Sequence, residues 1–108
     1  MPRIFPCGVW QIYKPLPHPE SDPYLYPFFI PTNAWQFVSV WILDSKGAYV
    51  KPDGEQSVRD TGYGLHFSSS DTTLGCLRIG NKEDLLYLVG RLNEDISKGE
   101  ICKIHVTD

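Results

Sequence analysis

Eight of the nine prolines stand within the first 31 residues. Proline fixes φ and removes a backbone donor, so a proline-dense stretch carries neither a continuous helix nor an interior strand. Pro15, Pro17, Pro19, Pro23, Pro27 and Pro31 therefore predict one long extended loop over residues 14–32. A loop of that length in a small domain is more often packed or functional than idle. The same third of the chain is nearly uncharged, with only Arg3, Lys14, Glu20 and Asp22 before Asp44. Within it, Tyr24-Leu25-Tyr26-Pro27-Phe28-Phe29 concentrates aromatic rings in a segment with no regular pattern. This predicts a groove cap or a partner surface.

The rest of the chain is patterned. At 108 residues, 42% hydrophobic and 21% charged, it reads as one globular domain spanning 1–108. Strand patterns cover 7–13, 35–43, 62–67 and 101–106, rich in β-branched and aromatic residues. Asp44-Ser45-Lys46-Gly47 is a turn signal, and Ala48-Tyr49-Val50 after it predicts a hairpin. Leu85, Leu88, Val89, Leu92 and Ile96 recur at helical spacing. Asn81 is the expected N-cap, Glu83 and Asp84 suit the first turn, and Gly99 suits the stop. The fold class is mainly β with one helix, a small sheet or sandwich in a single domain.

Several function classes are disfavoured. A net charge of −3 with scattered lysines and arginines gives no phosphate-tracking surface, so no nucleic-acid partner is expected. No apolar run approaches the ~18 residues of a membrane span. The N-terminus has no apolar stretch after a basic start, so no Sec signal peptide is expected in this chain. Cys7, Cys76 and Cys102 are odd in number and form no CxxC, which argues against a disulfide framework and a structural zinc. A Cys7–Cys102 pair remains open in an oxidising compartment. His18, His66 and His105 have no metal-ligand spacing, and neither metal nor cofactor is expected. His18 reads as a loop residue, and His105 as a solvent-facing strand residue.

Chemistry concentrates in Gly64-Leu65-His66-Phe67-Ser68-Ser69-Ser70-Asp71-Thr72-Thr73-Leu74-Gly75-Cys76-Leu77-Arg78-Ile79. A strand ends in a histidine, a polar loop follows, and Gly-Cys precedes an apolar residue and an arginine just ahead of the helix. A cysteine nucleophile needs a base and donors for the developing oxyanion. His66 can be the base for Cys76, and the Gly75 and Cys76 amides can be the donors. Gly75 also permits close backbone approach.

This segment resembles the active-site signature of the L,D-transpeptidase catalytic domain, also called the YkuD domain. In that family a strand histidine is followed by a loop and Ser/Thr-His-Gly-Cys-Ile-Arg. Thr73-Leu74-Gly75-Cys76-Leu77-Arg78 is similar, with His66 at the strand-histidine position. Pro6-Cys7-Gly8-Val9-Trp10-Gln11-Ile12 and Lys98-Gly99-Glu100-Ile101-Cys102-Lys103-Ile104 resemble the family's flanking strands, in the same order. The chain departs in three places. Leu74 replaces the histidine before Gly-Cys, the loop from His66 to Cys76 is short, and the family's N-terminal strands are cut down. The short loop and the non-histidine before Gly-Cys are closer to the compact short-loop variants among secreted amidase toxins and phage-associated enzymes.

The resemblance implies a small YkuD-like domain and cysteine-dependent acyl transfer on peptidoglycan stem peptides. Cys76 attacks the carbonyl of an L-to-D peptide bond and His66 moves the proton. Water or an acceptor amine then resolves the thioester. The group orienting the histidine is often a backbone carbonyl in the family; here Ser68, Ser69 or Asp71 are alternatives. Arg78 either braces the loop, meets a substrate carboxylate or pairs with Asp71 or Asp84. Tyr63 is a supporting or substrate-binding candidate, and the tryptophans and tyrosines line a groove or fill the core. The alternative is an inactive YkuD-like module that binds cell-wall peptide or a protein partner. The expected site of action is the periplasm or cell wall, with cytoplasmic storage before delivery as one route. A homodimer is compatible with the short chain and its aromatic surface.

Overall fold

The computed structural model describes residues 5–39, 42–50, 57–68 and 76–107. These carry β1 (Gly8–Ile12), β2 (Leu16–Pro17), β3 (Phe28–Pro31), β4 (Gln36–Ser39), β5 (Ile42–Leu43), β6 (Tyr49–Val50), β7 (Ser57–Asp60), β8 (Gly64–Phe67), β9 (Leu77–Ile79), α1 (Lys82–Ser97) and β10 (Cys102–Val106). Among the described residues the molecule is mostly β-sheet with one helix, in a small single domain.

The expected loop over 14–32 is in part sheet. Pro15 and Pro17 leave only the two-residue β2, but β3 lies inside a sheet of order β2-β3-β8-β9. The reason lies in where the prolines fall. Pro27 precedes β3 and Pro31 closes it, so Phe28, Phe29 and Ile30 keep their N–H donors. Ile30 is wholly buried. The ten residues 18–27 between β2 and β3 remain a loop of turns, and the Tyr26–Pro27 peptide is cis.

β1 pairs antiparallel with β10, and Ile12 bridges to Thr32 at the end of β3. The Tyr13 N–H donates to the Pro31 carbonyl (2.9 Å), and the Asn33 N–H to the Gln11 carbonyl (3.1 Å). The β1–β10 ribbon thereby continues the β3-β8-β9 sheet. The same register separates two of the cysteines. Cys102 faces Ile12, while Cys7 precedes β1 at the far end of the ribbon. Five residues of strand hold them about 17 Å apart, far beyond disulfide reach, so the Cys7–Cys102 pair does not form.

Helix α1 covers one face of the sheet. Leu85, Val89 and Leu92 pack with Ile12, Ile30 and Leu65, flanked by Phe67, Leu77, Ile79 and Ile104. Both helix ends are closed as the residues suggest. Asn81 Oδ1 accepts from the Glu83 N–H (2.8 Å) and the Asp84 N–H (3.3 Å). At the other end Gly99, at φ 81°, allows a Schellman closure, with the Glu100 N–H on Asp95 O and the Gly99 N–H on Ile96 O. A second cluster gathers Phe5, Ala34 and Tyr63 beside Trp10.

β4 pairs with β7, and β5 with β6 through the expected Asp44–Gly47 turn. Asp44 Oδ1 accepts from the Lys46 and Ala48 amides. Ser57–Asp60 lacks a long apolar run and was not expected as a strand. Its only bulky apolar residue, Val58, is half exposed. These strands contact chiefly one another, and the molecule is elongated, 51 × 29 × 23 Å.

Candidate functional site

The site begins with strand β8. Successive side chains of a strand point to opposite faces. Leu65 and Phe67 join the cluster beneath α1, so His66 between them turns to the face the helix leaves uncovered. Antiparallel β3 sets Phe29 opposite His66, and parallel β9 sets Arg78 opposite it on the other side. Gly64, two residues before His66, makes room on this face. A Cβ there would run into the Phe29 ring and stand 2.6 Å from the Ile30 carbonyl.

His66 is 0% exposed. Its Nδ1 lies 3.0 Å from the Phe67 carbonyl oxygen. A carbonyl only accepts, so in the neutral ring Nδ1 carries the proton and Nε2 the lone pair. Among the described residues Nε2 has no hydrogen-bond partner although it is buried. Such an atom costs about 1–3 kcal/mol of stability, so a fold retains one for a reason other than packing. The partner of Nδ1 is thus a backbone carbonyl rather than a side chain of the following loop. Tyr24 completes the surroundings, its ring centroid 4.8 Å from that of the imidazole at 40°.

Cys76 is half-buried and directly precedes β9, the strand beside His66. It forms no disulfide, nor do Cys7 and Cys102. Arg78 is exposed and donates from a guanidinium nitrogen to the Ser68 carbonyl (3.3 Å). Ser68 also donates its N–H to Ile79 (3.2 Å), so the first residue after β8 is tied twice to β9. Ser69, Asp71 and Gly75 lie outside the described residues, as does Leu74.

Tyr63 belongs to the core rather than to this face. It is 3% exposed, packs edge-on against Phe5, and its hydroxyl meets Asp60 and Gln36. His18 pairs with Asp22 (3.2 Å), and His105 is exposed on β10. Among the described residues no three His, Cys, Asp or Glu side chains group as a metal site. Nor is any described helix long and apolar enough to cross a membrane.

The aromatic segment stands out in the sequence as a groove cap or a partner surface, but neither its contact with His66 nor the room made by Gly64 does. A lone glycine inside a strand pattern, with aromatic residues elsewhere to fill the space, is the signal that marks such a position. No family model matches this chain, and no curated protein or solved structure matches it.

Proposed function

We propose that this protein is a cysteine-dependent acyl transferase or hydrolase acting on peptidoglycan stem peptides, a compact relative of the L,D-transpeptidases. The observation that carries the reading is the state of His66. Its Nδ1 is held by a backbone carbonyl, and among the described residues its buried Nε2 has no hydrogen-bond partner, the Cys76 thiol included, which leaves that nitrogen available to take a proton once the thiol closes on it. Cys76 supplies the nucleophile from the chain entering the neighbouring strand. Carrying the β8–β9 register back one residue sets Cys76 beside Gly64, on the same sheet face as His66.

The chemistry then balances simply. The Cys76 thiol gives its proton to His66 Nε2, and the sulfur attacks the carbonyl carbon of an L-to-D peptide bond. The C–N bond breaks, the imidazolium returns the proton to the leaving amine, and a thioester remains on Cys76. Water or an acceptor amine adds to the thioester and restores the thiol. Gly75 and Cys76 amides serve the oxyanion, Arg78 steadies the loop through Ser68, and Ser69 and Asp71 are substrate-side candidates. The reaction calls for no cofactor. The same substrate implies the cell wall or periplasm as the site of action.

Muropeptide digestion followed by mass spectrometry tests this. Loss or exchange of a terminal D-alanine, or cleavage of a cross-link, is expected. Cys76→Ala should abolish it, and His66→Gln should slow it about 10²–10⁴-fold. Unchanged muropeptides, or equal turnover by Cys76→Ala, would remove the enzyme reading.

The complete burial of the imidazole favours a second reading, a YkuD-like module that binds cell-wall peptide or a protein partner without turnover. Calorimetric binding of muropeptides with no product would select it.

A further inference from the structure

His66 is among the largest fully buried side chains, yet it faces away from the helix. The described ring packed against it, at a tilt, is Tyr24. Tyr24 is 49% exposed and sits in the loop 18–27. One part of its ring therefore covers the imidazole while the rest meets solvent.

The loop is tied largely to itself. The Asp22 N–H donates to Pro19 O and the Tyr26 N–H to Asp22 O, while His18 pairs with Asp22 and donates its own N–H to Pro27 O. Beyond itself, its described contacts are Tyr24 on His66 of β8 and the start of α1, where the Lys82 ammonium lies 4.9 Å from the centre of the Tyr26 ring. Neither core cluster draws a residue from 18–27. Pro27 at its end is buried and Leu25 and Tyr26 are half-buried, but Tyr24 is exposed, so its ring can swing out while both clusters stay packed, at the low end of the local stability range.

A general base must come within hydrogen-bond reach of the proton it moves. A wholly covered imidazole does not offer that reach to a peptide. We propose that Tyr24 is a positioning residue for His66. Its ring clamps the imidazole in the orientation that bonds Phe67, and its displacement opens Nε2 to substrate. The consequence for turnover rests on the acyl-transfer reading; the shielding does not. The contact is between rings, so phenylalanine should serve in place of tyrosine and alanine should not.

Diethylpyrocarbonate acylates bare imidazole nitrogens, and peptide mass spectrometry reads His18, His66 and His105 separately. In the wild-type protein His105 should label quickly and His66 at least about tenfold more slowly, as an opening cost near 1.4 kcal/mol implies. Tyr24→Ala should bring His66 close to the rate of His105, and Tyr24→Phe should restore protection. With muropeptide substrate, Tyr24→Ala should lower kcat and Tyr24→Phe should recover it. Tyr24→Leu, which keeps bulk without a ring, replaces the alanine variant if that one fails to fold.

Wild-type His66 labelling as fast as His105, or a ringless variant labelling no faster than Tyr24→Phe, overturns the proposal. The underlying reading is judged at a different atom, by iodoacetamide alkylation of Cys76. Slower alkylation in His66→Gln supports the thiol–imidazole pair. Unchanged alkylation overturns the acyl-transfer reading and Tyr24's role in turnover, whatever the histidine labelling shows.

Discussion

The two faces of β8 are closed in different ways. Leu65 and Phe67 meet α1 across an apolar interface with Ile30, Leu85 and Val89. His66, one residue from each, meets a tyrosine from an irregular loop and leaves a nitrogen with no partner among the described residues. Burial alone does not tell the faces apart, since Leu85 and His66 are both wholly buried. The difference is that hydrophobic contact on one side is itself the stabilising term, whereas on the other a polar atom is covered at a cost. A face of the second kind is where a binding or catalytic role belongs, because packing gives no reason for it.

Substitutions on the two faces should therefore part company. Leu85→Ala, beneath the helix, should lower unfolding free energy by about 2–5 kcal/mol in urea titrations. Gly64→Ala should cost about 1–3 kcal/mol, because the new methyl meets the Ile30 carbonyl as well as the Phe29 ring. It should also disturb the seat of His66, so turnover should fall further than stability does. A Gly64→Ala protein as stable as wild type would show that the uncovered face is loosely packed.

His66→Phe sharpens the contrast. It keeps a ring against Tyr24 and removes the unpartnered nitrogen, so stability should stay within about 1 kcal/mol of wild type while turnover is lost. A loss as large as that of Leu85→Ala would mean that His66 is a packing residue after all. The smallest effect belongs to the exposed side of α1. Gly90 has open space around its Cα, so Gly90→Ala should raise stability by up to about 1 kcal/mol, seen as a higher Tm, with turnover unchanged.

The helix-covered face was the more legible in the sequence. The stripe Leu85, Val89 and Leu92, the Asn81 cap and the Gly99 stop are local signals, and local physics decides them. β3 was hidden because six prolines outweigh three apolar residues in any composition argument. What mattered was that Phe28, Phe29 and Ile30 fall between prolines rather than on them. β9 was hidden for another reason. Three residues carry too little periodicity, and a parallel pairing with β8 joins segments with no hairpin between them.

At the candidate site, residue types were legible and contacts were not. His66 and Cys76 stand out as chemistry-bearing groups ten residues apart. The Phe67 carbonyl has no side-chain identity to read, and Tyr24 reaches His66 from 42 residues away through the packing of the loop between β2 and β3. Tyr63 drew notice as an aromatic next to the motif, but it follows the Phe5 cluster instead.

The chemistry of this face turns on His66 carrying its proton on Nδ1 and keeping Nε2 bare. Long-range ¹H–¹⁵N correlation of the imidazole in ¹⁵N-labelled protein, at a pH where the ring is neutral, reads this directly. His66 should show a protonated Nδ1 shift and an unprotonated Nε2 shift, assigned by their absence in His66→Gln. A proton on Nε2 would contradict this, since Nε2 would then have no lone pair to receive the thiol proton and the remaining lone pair, on Nδ1, would face the Phe67 carbonyl.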